Sequence, residues 1–305
     1  MRFFSFIITL LLLFTSFICR AQTDSIKHWQ LAGDISLHVN QVHLENWAPG
    51  GQSSLSLLGS ISYHFNYQKD RVAWINQFSG YFGGIKAGKG ADLQKNHDFF
   101  EYNSRLSIAH KKRIHYVFFG NVITQVAKGY LENNKSKRIS SFFAPAYLTE
   151  GIGIEYRSLK YSTDSLFFAV ISPLAVKHTI VSDPMVDGTI YGLSSANGVK
   201  SELGLYFQTG LKKKILERTI LSTQLQLYTN YLNDFGNIDV NWKTILIVEA
   251  NKWINIQLMT HLVFDDDTMQ LAFTDLDADG FAEVTASGPK LQFMEVLGVG
   301  IVYKL

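Results

Sequence analysis

Aspartates at Asp275, Asp277 and Asp279, followed by Gly280, open the stretch TDLDADGFAEV. Alternate carboxylates before a glycine are how an EF-hand loop begins, because the loop must fold sharply to wrap oxygens around one hard cation. The position that should carry the bidentate glutamate is Ala286, so the back half of such a loop is missing. Glu283 or the Asp265, Asp266 and Asp267 group offers a replacement. Seven carboxylates fall between Asp265 and Glu283 and repel one another unless a cation joins them. The expectation is a weak Ca2+ site of order 10⁻⁴–10⁻³ M, as in extracellular modules. Of equal weight is a solvated acidic loop that shares the divalent ions of surface lipopolysaccharide.

Other arrangements carry less chemistry. GGIKAGKG, 83–90, follows a phosphate-binding loop as far as Lys89, but Gly90 stands where a magnesium-binding hydroxyl belongs and no helical pattern follows. His64 shares a strand face with Ser54, Ser56, Ser60 and Ser62, the residue types of a barrel lipid hydrolase, yet no Gly-x-Ser-x-Gly elbow accompanies them. Nine histidines show no HExxH or paired metal spacing, and a net charge of +2 gives no footprint for nucleic acid. No catalytic residue and no cofactor besides the Ca2+ is expected.

A second set of charges is spaced by two. Glu101 and Arg105 sit with Asn103, Glu155 with Arg157, and Lys243 with Asp239 and Asn241, each inside an alternating run. Spacing by two puts side chains on one face of a strand. Leu55, Leu57, Gly59, Ile61, Tyr63, Phe65 and Tyr67 interleave with Ser54, Ser56, Leu58, Ser60, Ser62, His64 and Asn66, and similar runs recur. Twelve segments are expected, near 29–40, 54–67, 72–83, 97–109, 115–125, 146–157, 166–177, 201–211, 219–230, 239–250, 253–265 and 290–305. Most exceed the usual 5–6 residues of a soluble strand and match the roughly 9–11 that cross a bilayer.

Alternation alone does not say which face is wet. The connections do, since 68–71, 111–114, 158–165, 212–218 and 251–252 are short while 84–96, 126–145, 178–200 and 266–289 are long. The short turns gather lysine and arginine, and the long loops gather the acids. Aromatic residues such as Trp74 and Trp253 collect at strand ends, where membrane interfaces lie. Only 18% of residues are charged, against about 25% in soluble proteins. The opening MRFFSFIITLLLLFTSFICRAQ reads as a signal peptide over 1–21, which leaves 22–305 as one barrel domain without cysteine. The last segment alternates through Leu297, Val299, Ile301, Tyr303 and Leu305 and is similar to the insertion signal that outer-membrane assembly machinery accepts.

The segments NWAPGGQSS (46–54), ISPLAVKHTIV (171–181), LYTNYLNDFGNIDVNW (227–242), VFDDD (263–267) and LQFMEVLGVGIVY (291–303) resemble a family of exported Bacteroidota barrels, the domain of unknown function 3078. The resemblance implies an outer-membrane location and no established activity. The expected fold is all-β, an antiparallel up-and-down transmembrane barrel of about twelve strands of outer-membrane type. Its partners are outer-membrane lipid, lipopolysaccharide and the assembly machinery. Two functions stand open: passage of small solutes through a polar lumen lined by Glu101, Arg105, Glu155, Arg157 and Lys243, or a closed barrel whose outer loops dock a surface protein partner. A barrel lipid hydrolase ranks third.

Overall fold

The computed structural model describes residues 28–42, 53–88, 92–131, 134–158, 165–233, 235–274 and 283–305. Sixteen strands follow one another: β1 (Trp29–Val42), β2 (Ser54–Lys69), β3 (Val72–Ala87), β4 (Gln94–Ala109), β5 (Ile114–Thr124), β6 (Gly129–Leu131), β7 (Asn134–Ser140), β8 (Ala146–Arg157), β9 (Ser165–Val181), β10 (Gly198–Leu216), β11 (Thr219–Asn230), β12 (Asp239–Glu249), β13 (Ile254–Phe264), β14 (Gln270–Thr274), β15 (Glu283–Ser287) and β16 (Gln292–Lys304). Twelve of them close a barrel in the order β1-β16-β13-β12-β11-β10-β9-β8-β5-β4-β3-β2. Every barrel pairing is antiparallel, and each of the twelve expected segments is a barrel strand. The remaining strands form two hairpins, β6 with β7 and β14 with β15, on the long-loop side.

Several strands outrun their expected limits. β10 continues through Lys212, Lys213 and Lys214 to Leu216 and turns on Glu217 and Arg218 alone, so the expected 212–218 turn is mostly strand. Likewise β3 carries Gly83 to Ala87, and Gly84 pairs with Lys95. That leaves the phosphate-loop resemblance without support at its first two glycines: Gly83 and Gly84 sit in a strand ladder, where they pair with the neighbouring strand rather than turn together toward a phosphate.

The outward face is apolar and bare. On β1, Ile35, Leu37 and Val39 are 45, 51 and 43% exposed, while Ser36 and His38 between them are 5 and 3% exposed. The same alternation exposes Leu297, Val299 and Ile301 of β16 and Ile254 and Ile256 of β13. An apolar band around a closed sheet, with polar residues inside, is the inverse of a soluble barrel and suits a lipid surround. Rings mark its short-turn end, where Trp29 stands 5.2 Å from Tyr67 and 5.9 Å from Trp74, and Trp253 stacks on Tyr303 at 6.4 Å. Inward glycines serve side-chain room: a Cβ on Gly298 or Gly300 would meet the His38 side chain.

Pro173 interrupts β9. It has no N–H for the ladder, and the register shifts against both neighbours there. The Ser172 hydroxyl donates to the Ile152 carbonyl at 2.7 Å and to the Leu174 carbonyl at 3.0 Å. Across this bulge the facing changes parity: Phe168, Val170 and Ser172 point inward before it, and Ala175, Lys177 and Thr179 after it.

Candidate functional site: a bridged lumen and the cavity above it

All five expected lumen charges do face the lumen, and Glu101, Arg105, Glu155 and Arg157 are buried. Their pairing differs from sequence neighbourhood. Glu101 does not take Arg105 on its own strand; its Oε2 accepts from Lys243 Nζ at 2.6 Å. In the ring order β12 is fourth and β4 tenth, six places apart in a circle of twelve, so this ion pair joins opposite walls. Glu101 Oε1 accepts from Asn103 at 2.9 Å, Asn121 at 3.2 Å, Gln224 at 3.2 Å and Gln226 at 3.3 Å. Gln208 donates to Asn103 at 3.4 Å from β10. Charge on the carboxylate is thus solvated by amides from its own strand and from β5 and β11, as a buried ion requires.

One tier nearer the short turns, Glu155 is fully buried. It accepts from Arg157 Nη2 at 2.6 Å and from the Ser107 hydroxyl at 2.5 Å, and Arg105 Nε lies 3.9 Å away. The Arg105 guanidinium carbon sits 3.5 Å over the Phe168 ring. Phe168 belongs to an inward cluster with Val117, Phe119, Val170, Ala175, Tyr206 and Tyr228, in which Phe119 and Tyr206 stack at 4.8 Å. On the other wall Leu58, Tyr81, Phe99 and Met259 pack together, and Lys243 Nζ rests 4.1 Å over Phe99. Side chains therefore occupy the mid-barrel at two successive levels.

Above this plug, toward the long loops, lies a cavity of about 310 Å³. Asn121, Tyr206 and Gln226 form its floor and belong to the plug; Tyr147, Lys177, Asp239, His261 and Asp265 line it higher up. Lys177 Nζ donates to Asp239 at 2.6 Å and to Asp265 at 2.8 Å. At the rim Lys200 Nζ lies 3.1 Å from Glu202 and 2.7 Å from Asp267. The Tyr206 and Tyr228 hydroxyls are buried with no hydrogen-bond partner among the described residues. The cavity thus brings two buried phenols, a lysine and paired carboxylates into one chamber.

Outside the barrel wall, Asp183 anchors the 182–197 segment. Its carboxylate accepts from the Met185 backbone N–H at 2.9 Å, the Ser141 hydroxyl at 2.7 Å and Arg138 Nη1 at 2.7 Å. The Met185 N–H foremost, then Ser141 and Arg138, hold Asp183 below the usual carboxylate range, at about 2.

The remaining expectations fare differently. Asp275, Asp277 and Asp279 lie outside the described residues, and of Glu283 only the backbone is described, paired with Thr274. Ser60, one of the serines beside His64, bonds instead to Ser36 at 2.6 Å. A Ser-His-Asn chain does occur elsewhere: Ser36 Oγ is 3.2 Å from His38 Nδ1, and His38 Nε2 is 3.0 Å from Asn255 Oδ1. All three are buried in the lumen wall, and none of them lines the cavity above the plug. Lys177 was not among the expected site residues, because strict alternation from Phe168 turns it toward lipid and only the Pro173 bulge brings it inside.

Comparison with solved structures returns barrels. An outer membrane channel from Pseudomonas putida F1 is 11% identical, with 93% of this chain and 100% of that chain covered and a TM-score of 0.39. The NanC porin is 8% identical over 90% of this chain and 100% of that one, with a TM-score of 0.36. The translocator domain of autotransporter NalP from Neisseria meningitidis is 8% identical over 92% and 89%, at 0.32. No curated protein matches the sequence significantly. Residues 39–130, which hold β2 to β5, match the model of the family described as Protein of unknown function (DUF3078), the family this chain resembles.

Proposed function

We propose that this chain is an outer-membrane barrel whose lumen is shut at rest and whose outward cavity receives a small molecule or the tip of a surface partner. The Lys243–Glu101 ion pair carries this reading, since a bridge between opposite walls at 2.6 Å, backed by the Glu155 tier, stands in the path an ion would take. A standing passive pore fits less well: a twelve-stranded lumen is only moderately wide, and here both tiers fill it with side chains. The lipid contacts of the outer face, and the assembly machinery that would accept the C-terminal strand, belong to the same proposal.

The test is planar-bilayer conductance of the refolded chain beside Glu101→Ala/Lys243→Ala. The native barrel is expected to be silent while showing the heat-modifiable migration of a folded barrel, and the double variant to give discrete current steps. Stable single-channel steps from the native chain would return the passive channel to first place. Silence of a folded double variant would move the barrier to the Glu155 tier.

A further inference from the structure

A second, much smaller cavity of about 20 Å³ opens beside the first, at the long-loop rim. It is lined by the carboxylates of Glu202, Asp239, Asp266 and Asp267 and by asparagines including Asn233 and Asn237, with no lysine in its wall. That volume holds one ion or one water. Around it five carboxylates, Glu202, Asp239, Asp265, Asp266 and Asp267, face two ammonium groups, Lys177 and Lys200. Among the described residues three negative charges stay uncompensated.

The hydrogen bonds made here leave oxygens over. Lys177 takes Asp239 Oδ2, Asn237 takes Asp266 Oδ2 at 2.7 Å, and Lys200 takes Asp267 Oδ2. Glu202 is 6% exposed; its Oε1 accepts from Asn230 at 2.7 Å, while its Oε2 is buried with no partner among the described residues. The Tyr228 hydroxyl on the same wall also lacks one. A buried carboxylate oxygen left without a donor costs free energy unless a cation sits against it. Of the carboxylates lining this cavity, Asp239 and Asp266 each bring an oxygen within 4.8 Å of the other. Two oxygens facing each other across one calcium stand about 4.6–5.2 Å apart.

The geometry points to a divalent cation site, of calcium type, built from Glu202, Asp239, Asp266 and Asp267 with the carboxamides of Asn233 and Asn237. Four carboxylates and two carboxamides supply six oxygens, the lower end of calcium's range and without the thiol or imidazole ligands that would favour zinc. The ligands come from β10, β12, the 231–238 connection and the turn after β13, so the ion ties two strand ends to two connections at the mouth. Its ligand set does not include Asp275, Asp277 or Asp279, and it does not depend on whether the lumen conducts.

The test uses the full chain in detergent micelles, stripped with EDTA and titrated with CaCl2 by calorimetry, with heat-modifiable migration as the check of folding. The native chain is expected to bind one Ca2+ with Kd of order 10⁻⁴–10⁻³ M. Glu202→Gln, which keeps shape and the Oε1 position, and Asp266→Asn are each expected to weaken binding at least about tenfold. Asp275→Asn/Asp277→Asn/Asp279→Asn is expected to bind like the native chain. Absence of binding by the folded native chain, unchanged affinity in a folded Glu202→Gln, or loss of binding in the triple variant would each overturn the assignment.

Discussion

Removing one end of the cross-lumen pair should cost more than removing both. In Lys243→Met the stem is kept and the charge lost, so Glu101, 3% exposed, retains its ionised carboxylate with only four amide donors, all at Oε1. Breaking a buried pair on one side costs about 3–5 kcal/mol, and four surviving donors put this variant near about 3. Glu101→Gln instead strands the ammonium of Lys243, which still lies 4.1 Å over Phe99. A cation over an aromatic face recovers about 0.5–2 kcal/mol, so the expected cost is about 2 kcal/mol. In Glu101→Gln/Lys243→Met no charge is buried and the volumes are nearly kept, so stability should return to within about 1 kcal/mol of the native chain. Urea unfolding in phospholipid vesicles, followed by tryptophan fluorescence, reads all four proteins. A favourable coupling of at least about 2 kcal/mol is expected from the cycle. Additive single effects, or singles costing under about 0.5 kcal/mol, would show that water already reaches both charges and would refute the closed plug.

Three further outcomes follow from the same geometry. Ile61→Arg, on the bare outer face, should destabilise the folded barrel in vesicles by about 2–4 kcal/mol, whereas Leu232→Arg, 80% exposed beyond the end of β11, should stay within about 0.5 kcal/mol; equal costs would mean the outer face does not meet lipid. Asp183 has its folded value, about 2, below the ordinary aspartate value of 3.8, so its stabilisation is present above the unfolded value and disappears as pH falls through the folded one. Pepsin should therefore cut the 182–197 segment faster at pH 2 than at pH 4 in the native chain, relative to Asp183→Asn, and a constant ratio would contradict the anchoring role. A protease-cleavage tag placed after Ser195 should be cut on intact cells and one placed after Glu217 should not; protection of both, or cleavage of both, would reverse or abolish the orientation drawn from loop length.

Strand identity and facing were legible because the barrel makes every segment obey one period, and because a bare apolar face leaves no other residue types for the outside. Leu55 to Tyr67 and Ile254 to Phe264 alternate in the sequence with few breaks, among them Leu58 and Met259 on the inward face, and Leu57, Ile61, Ile254 and Ile256 are indeed exposed. What alternation cannot carry is anything that breaks the period or crosses the barrel. Lys177 escaped because one proline flips the parity of β9. The partner of Glu101 escaped because contact across the lumen depends on ring order, with 142 positions separating Glu101 from Lys243. Nearness along a strand suggested Arg105; closure of the sheet supplied Lys243 instead.

The charge pattern along the axis ties these points together. Basic residues crowd the short-turn end, with Lys212, Lys213, Lys214 and Arg218 around a single tight turn. Acids crowd the mouth, where among the described residues the cations paired with Glu202, Asp239, Asp265, Asp266 and Asp267 are Lys177 and Lys200. Between the two ends the interior charges are nearly balanced: Glu101 with Lys243, Glu155 with Arg105 and Arg157. A barrel built to conduct one sign of ion would keep unpaired charge at its constriction, where it sets selectivity. Among the described residues the unpaired charge lies at the mouth and the constriction is paired, the arrangement that the proposed rim cation site and the proposed closed centre require.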